Sequence, residues 1–341
     1  MKLIKTEEAI GQVLCHDITQ IIKGVSKDAL YRKGHVISQA DIPILLSLGK
    51  DHLYIWENDE NMLHENDAAD ILRQICQGPY MHPSPPKEGK IELIADIDGL
   101  LLVDIERLRA INSLGEMMIA TRCSGFPVKK GDKLCGTRII PLVIEKAKME
   151  QARQVAGDEP LISLCPFHAK KYGLITTGNE VYYGRVKDTF SVVIKEKMTE
   201  YGCEMAAHKI LDDNHENISA AINDMLATNV DLVLCTGGMS VDPDDRTPLA
   251  IKNTGAAIIS YGAPALPGAM FLIAYSKDGR PICGLPGCVM YAKRTIFDII
   301  LPLLLADVPI KPHWLAGLGN GGMCLDCLEC RYPNCMFGKG I

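Results

Sequence analysis

The hydrophobic pattern changes character near residue 168. Beyond it, short apolar runs alternate with amphipathic stretches. Residues 172–176, 204–211, 231–235 and 256–260 read as strands, and 188–201, 216–227 and 248–253 as helices. Residues 271–275 and 281–283 read as a hairpin around Asp278-Gly279, a pair suited to tight turns. A long apolar stretch predicts a closing helix over 288–305. Strand–helix alternation of this kind predicts an α/β fold with a doubly wound, mostly parallel sheet. Ligands of such sheets sit at the carboxyl ends of the strands.

Before residue 168 the pattern is weaker. Helices are predicted over 39–48, 66–76 and 144–156, and strands with turns over 90–143. Four prolines within residues 78–86 read as a linker. The expected organisation is an α+β accessory region at 1–78, a Pro-rich linker at 79–90 and a β-rich accessory region at 91–160. The α/β domain follows at 168–308 and a cysteine-rich tail at 309–341.

Composition narrows the function classes. Of 341 residues, 47% are hydrophobic and 23% charged, which suits a globular protein with filled cores. A net charge of −6 without a basic stripe argues against nucleic acid as a partner. The first residues lack the apolar run of a signal peptide. The apolar stretch 296–305 is short and broken by Asp298 and Pro302, so no membrane span is expected. A cytoplasmic location follows as the expectation. Thirteen cysteines are present, and the nine scattered ones read as reduced, buried small hydrophobes.

Three glycine-bearing loops follow predicted strands: Thr176-Thr-Gly-Asn-Glu180, Thr236-Gly-Gly-Met-Ser240 and Gly284-Leu-Pro-Gly287. Gly237 and Gly238 allow backbone N–H groups to approach an anion, and Ser240 adds a hydroxyl. Asp242, Asp244 and Asp245 crowd three carboxylates nearby. Thr247 reads as an N-cap and Pro248 as the first helical residue. Gly287 is expected at the start of the last long helix, whose free N–H groups and dipole suit a phosphate.

These segments, with Ile210-Leu-Asp-Asp-Asn214 before a helix, resemble the molybdopterin-binding domain of molybdenum-cofactor biosynthesis proteins over about residues 168–308. The Gly-Leu-Pro-Gly ending is similar to the molybdenum insertase branch, and residues 1–150 resemble its accessory region more loosely. The resemblance implies a cradle for molybdopterin or its adenylylated form. Its backbone part would comprise Gly178, Gly237, Gly238, Ser240 and Gly287, with Thr177, Asn179, Glu180, Thr236, Met239, Asp244, Thr247, Leu285 and Pro286 also at the ligand. It implies catalytic positions at Asp213 and Asp245, where a carboxylate pair suits Mg²⁺ or orients molybdate. A capping role beside Asn214 is the alternative for Asp213, and Asp188 reads as an N-cap. The resemblance further implies molybdopterin molybdenumtransferase-like activity, a molybdoenzyme client and a homo-oligomer.

The chain departs from the insertase branch at two motifs. Ile97-Asp-Gly-Leu100 stands where the branch has Met-Asp-Gly-Tyr-Ala, and Ala263-Pro-Ala-Leu-Pro-Gly268 stands where it has Lys-Pro-Gly-Lys-Pro. The branch's usual C-terminal β-barrel is not expected here. A nucleotide-processing hydrolase similar to the competence-damage-inducible family is the rival reading, favoured by Pro243-Asp-Asp-Arg-Thr247. A non-catalytic cofactor or redox sensor is a third.

The tail carries Cys324, Cys327, Cys330 and Cys335 in a C-x2-C-x2-C-x4-C spacing. Such spacing lets sulfurs converge on one metal centre. An iron–sulfur cluster, tetrahedral Zn²⁺ and disulfides or free thiols are the open alternatives.

Overall fold

The computed structural model describes residues 2–22, 26–55 and 60–340. The chain divides into two compact units that interleave in sequence. The first comprises Met1–Asp96, Val103–Arg122 and Gly131–Ser163, and the second Ile97–Leu102, Cys123–Lys130 and Leu164–Ile341.

The first unit contains a four-stranded antiparallel sheet in the order Met81–Pro83, Lys90–Ala95, Lys133–Ile139, Met117–Thr121. Helix Glu65–Cys76 lies on it through Ala68, Ala69, Leu72, Ile75 and Cys76, all buried. Its N-terminal part has a separate small core built from Ala9, Leu14, Ile18, Ile37, Ile42, Leu45 and Leu53. The expected linker is corrected here. Met81–Pro83 pairs with Lys90–Ala95 as an edge strand, where a proline needs no ladder N–H donor. The boundary drawn at 79–90 therefore falls inside the first unit.

The second unit is organised around a six-stranded sheet. Its elements are β1 (Lys171–Thr177), α1 (Asn179–Tyr182), α2 (Phe190–Thr199), β2 (Glu204–Leu211), α3 (His215–Leu226) and β3 (Leu232–Thr236). Then come α4 (Thr247–Asn253), β4 (Ala257–Tyr261), β5 (Leu272–Tyr275), β6 (Pro281–Leu285), α5 (Ile296–Leu305) and α6 (Pro312–Gly317). The strand order is β2-β1-β3-β6-β5-β4. Strands β2, β1, β3 and β6 are parallel neighbours, and β5 runs antiparallel between β6 and β4.

Burial explains the pattern. Central β3 is buried at every residue, as both faces of a parallel sheet are covered. On one face Tyr172, Leu174, Leu234 and Leu285 pack with Ile194 and Met198 of α2 and with α5. On the other, Ile175, Val233 and Ile282 meet Ile218, Ile222 and Met225 of α3 and Ile251 of α4. Edge strand β2 alternates exposed and half-buried residues.

The closing helix is shorter than its apolar run. Gly287–Met290 forms a 3-10 turn, and α5 begins only at Ile296. A capping box fixes that start: Thr295 Oγ1 accepts from Phe297 N–H, and Asp298 accepts from Thr295 N–H at 2.8 Å. Every residue of α5 is buried, as befits a helix that is apolar all round. Leu315 and Leu318, together with Phe337 of the tail, join the core that encloses it.

All thirteen cysteines are free thiols. Of the nine scattered ones, Cys15, Cys76, Cys135, Cys203, Cys235 and Cys283 are buried, Cys165 and Cys288 are half-buried, and Cys123 is exposed. Burial alone pushes the Cys235 thiol up to about 12. That suits a small core hydrophobe and not a nucleophile. Among the described residues no helix is long and apolar enough to cross a membrane.

Candidate functional site

Strands β1, β3 and β6 are adjacent and parallel, so the loops after them leave the same rim of the sheet. The first two loops interlock there. Thr177 Oγ1 lies 3.2 Å from Thr247 Oγ1, and Thr247 Oγ1 donates to the Gly237 carbonyl at 2.9 Å. Thr247 N–H donates to the Gly238 carbonyl at 3.1 Å. Gly237 has φ +86°, and a Cβ there would lie 2.1 Å from the Thr177 carbonyl oxygen. A Cβ at Gly238 would meet Thr247 Oγ1 at 2.9 Å. Both glycines are therefore required by loop-on-loop packing as well as by left-handed backbone. Thr247 is not the N-cap, a position held by Arg246. Its hydroxyl instead crosslinks the loops.

The second loop is also tied to the sheet. Met239 is buried against Gly284 of β6, where a Cβ would fall 2.6 Å from its sulfur. Tyr261, at the end of β4, donates its hydroxyl to the Met239 carbonyl at 2.9 Å. With its carbonyls held in this way, the loop leaves donors free. Among the described residues, the N–H groups of Gly238, Met239 and Ser240 have no protein acceptor. Unpaired main-chain donors on a glycine turn make an anion-binding concavity.

The first loop is used differently from the expectation. Gly178 N–H donates to Leu211 at 3.3 Å, and Asn179 N–H donates to Asp213 Oδ2 at 2.9 Å. Both donors are engaged within the protein, so neither is left free to face a ligand. Buried Thr236 places its hydroxyl 3.5 Å from the Ile175 carbonyl, under the rim.

The third loop is corrected as well. Gly287 opens the 3-10 turn and not the long helix, so the dipole of α5 is not directed from it. A Cβ on Gly287 would meet nothing within 4 Å. This glycine is thus free of the packing demands that fix Gly237 and Gly238. Leu285 and Pro286 are buried behind it.

Acidic groups crowd the same rim. Asp213 is not the helix cap, since Asn214 accepts from Glu216 and Asn217 N–H. Burial raises the Asp213 carboxyl above its ordinary range, and repulsion from Glu180, Asp244 and Asp245 adds to the rise. Asp245 also accepts from the Asp242 N–H at 3.2 Å, which shapes the acidic turn. Among the described residues no three His, Cys, Asp or Glu side chains gather in a metal-holding arrangement. Mg²⁺ commonly takes one or two carboxylates together with substrate phosphate oxygens, and the Asp213–Asp245 grouping fits that mode better than a closed cage. Asp188 is not the N-cap, a position held by Thr189, but precedes it and accepts from Ser191 N–H at 3.1 Å, and it also faces His208 at 3.4 Å.

The four tail thiols are not brought together. Cys324 and Cys335 are half-buried against the core cluster, while Cys327 and Cys330 are exposed. The spacing predicted local convergence, but among the described residues no three metal-ligating side chains gather here.

Tyr261 and His208 went unread in the sequence, and so did the packing of Met239 against Gly284. Their importance depends on contacts 22 to 45 residues away in the chain, or, for His208, on Thr176 across the sheet. The only local signal was Tyr261 at a strand's end.

Residues 173–306 match the family model described as a probable molybdopterin binding domain, and residues 3–57 match a domain of unknown function. A molybdopterin molybdenumtransferase of Synechococcus elongatus is 26% identical over 207 residues, covering 57% of this chain and 49% of that protein. A CinA-like protein of Mycobacterium sp. (strain JLS) is 37% identical over 81 residues, covering 24% of this chain and 19% of that protein. The molybdopterin biosynthesis enzyme MoaB of Thermus thermophilus superposes with a TM-score of 0.36 at 21% identity, over 41% of this chain and 94% of that one. The chain spans about half the length, or less, of these curated relatives. The resemblance read from the glycine loops is borne out at residues 173–306.

Proposed function

We propose, taking residues 173–306 as a domain of the molybdopterin-binding family, that the rim of β1, β3 and β6 binds molybdopterin or its adenylylated form in molybdenum-cofactor biosynthesis or delivery. The observation that carries this reading is the set of unpaired N–H groups at Gly238, Met239 and Ser240. They stand on a loop locked by Thr177, Thr247 and Tyr261. A rigid row of donors suits the terminal phosphate, because no ordering of the loop is needed on binding. Gly287, open on its side-chain face, leaves room for the pterin edge.

Asp213 and Asp245 serve as the acidic positions. A carboxyl raised by burial and by like charges gains from a cation, so Mg²⁺ arriving with the ligand's phosphate would relieve their repulsion. Molybdate insertion is the activity this arrangement supports, with transfer to a molybdoenzyme client and a homo-oligomeric assembly carried over from the family. A nucleotide is the second reading, supported by the CinA-like match over 81 residues. Both ligands present a phosphate to the same donors.

Anaerobic calorimetric titration of the full chain with molybdopterin, in competition with a nucleoside diphosphate, separates them. Saturable molybdopterin binding that the nucleotide does not displace is the expected result. Molybdate incorporation should fall at least tenfold in Asp245→Asn while molybdopterin affinity changes less than threefold, because a catalytic carboxylate adds little to ground-state binding. Binding of the nucleotide alone would overturn the first reading.

A further inference from the structure

We propose that the exposed segment 182–187, together with Tyr291, seats the planar ring of the ligand whose phosphate takes the donors of residues 238–240. This rests on the pterin reading above and deepens it by assigning the ring to named side chains. The segment follows the first loop of the rim and so leaves the end of β1, while Tyr291 follows the 3-10 turn that leaves the end of β6. Strand β3, whose loop carries the donors, lies between those two strands. The flanking segments also meet, because the Thr189 hydroxyl donates to Met290 Sδ at 2.9 Å.

Every residue from 182 to 187 is exposed, two tyrosines and a valine among them. Tyr183 is 62% exposed and Tyr291 79%. This exposure does not come from a loose chain. Val181 and Tyr182 N–H donate to the Gly178 carbonyl at 3.1 and 2.9 Å, and Arg185 and Val186 N–H to the Glu180 carbonyl at 2.8 and 3.0 Å. At the far end Asp188 accepts from Ser191 N–H at 3.1 Å and from the Thr176 hydroxyl at 3.3 Å. A tyrosine on fixed backbone offers a large amphipathic face and has few torsions to lose on binding. Aromatic surface that a braced segment keeps in water is accounted for by a ligand that covers it.

The groups beside the rings define the occupant. Tyr182 and Tyr183 pack edge to face with centroids 5.1 Å apart, and the Arg185 guanidinium lies over the Tyr183 ring, 5.4 Å from its centroid. Among the described residues neither Arg185 nor Lys187 pairs with a carboxylate. Tyrosine rings and guanidinium planes both stack on flat heteroaromatic rings, and unpaired cations suit an anionic ester. A bicyclic heteroaromatic ring that carries a phosphate answers both features at once. Its ring lies on the tyrosines, and its charge faces the cations and the N–H groups of residues 238–240.

The test titrates the full chain, held anaerobic, with molybdopterin and separately with inorganic phosphate. Wild type is compared with Tyr183→Ala, Tyr183→Phe and Tyr291→Ala, and sedimentation velocity follows the assembly state. Alanine at either position should weaken molybdopterin binding about fivefold or more, the size of one lost stack between a base and an aromatic side chain. Tyr183→Phe keeps the ring and should stay within about twofold of wild type. Inorganic phosphate meets the donors alone and should bind every variant as it binds wild type. Molybdopterin bound equally by wild type and both alanine variants would overturn the ring's seat and leave the pterin reading standing. Parallel losses for both probes, or a loss in Tyr183→Phe as large as in Tyr183→Ala, would overturn it as well, since stacking would not be what was removed. So would a changed assembly state with affinity intact, which would mark the segment as a contact between copies. A wild-type chain that binds no molybdopterin would overturn the pterin reading itself, and the seat with it.

Discussion

At Asp213 one side chain joins two demands that oppose each other. Its carboxylate accepts the Asn179 N–H and so shapes the first loop. Burial and the charges of Glu180, Asp244 and Asp245 nevertheless hold its acidity below that of an ordinary carboxyl. The folded chain therefore keeps this proton to higher pH than the unfolded chain does. Stability is lost as pH rises from the ordinary carboxylate range through the raised value. Asp213→Asn retains an acceptor for Asn179 and removes the charge. It should melt above wild type near about pH 7, with the difference vanishing toward about pH 4, where the unfolded carboxyl also takes up a proton. Thermal melts across that range check this, and an equal or lower melting temperature at neutral pH would count against repulsion at the rim. Residues of this kind were partly legible. Gly237, Gly238 and Thr247 could be named because glycines and hydroxyls after a strand carry a local signal. What they touch could not be read. Thr247 crosslinks two loops instead of capping a helix, and Gly237 is held by Thr177, sixty residues earlier in the chain.

Elements were legible where burial is uniform or strictly periodic. Glu204–Leu211 was bounded correctly because alternation on an edge strand is a local property, and β3 was placed within one residue at each end because it is a run of five buried residues. The helix expected over 288–305 was misread for a physical reason. The segment Tyr291–Thr295 carries no glycine or proline to mark a break, but the helix start is set by the reciprocal Thr295–Asp298 cap. Asp298 does more than cap. It is buried and accepts from Lys197 at 2.8 Å and from Arg294 at 2.8 Å, while its carbonyl receives the Tyr332 hydroxyl. Lys197 is itself 9% exposed, so Asp298→Ala would leave an ammonium in the interior without its carboxylate. A loss of about 3–5 kcal/mol is expected, read by chemical denaturation. A loss below about 1 kcal/mol, the range of surface pairs, would mean that the pair is hydrated. The proline-rich strand Met81–Pro83 shows the converse error, since composition marks a linker and only pairing with a distant strand makes it an edge.

For the whole molecule, the division into units was the least legible feature. Short segments at 97–102 and 123–130 leave the first unit's stretch of sequence and belong to the second. Such exchange depends on strand pairing between residues far apart, as in Phe126–Val128 with Gly99–Leu101, which no local pattern encodes. The α/β domain was readable because its helices and strands are consecutive and its ligand loops follow the strands in order. Its central claim is that one rim, built by the ends of β1, β3 and β6, receives molybdopterin through the donors of residues 238–240. Amide hydrogen exchange of the full chain with and without molybdopterin, held anaerobic, tests that claim most directly. The account predicts slowed exchange at Gly238, Met239 and Ser240 and at the Gly287 turn, with little change at Gly178 and Asn179, whose N–H groups are already bonded within the protein. Protection confined to other parts of the chain, or no protection under saturating ligand, would contradict it.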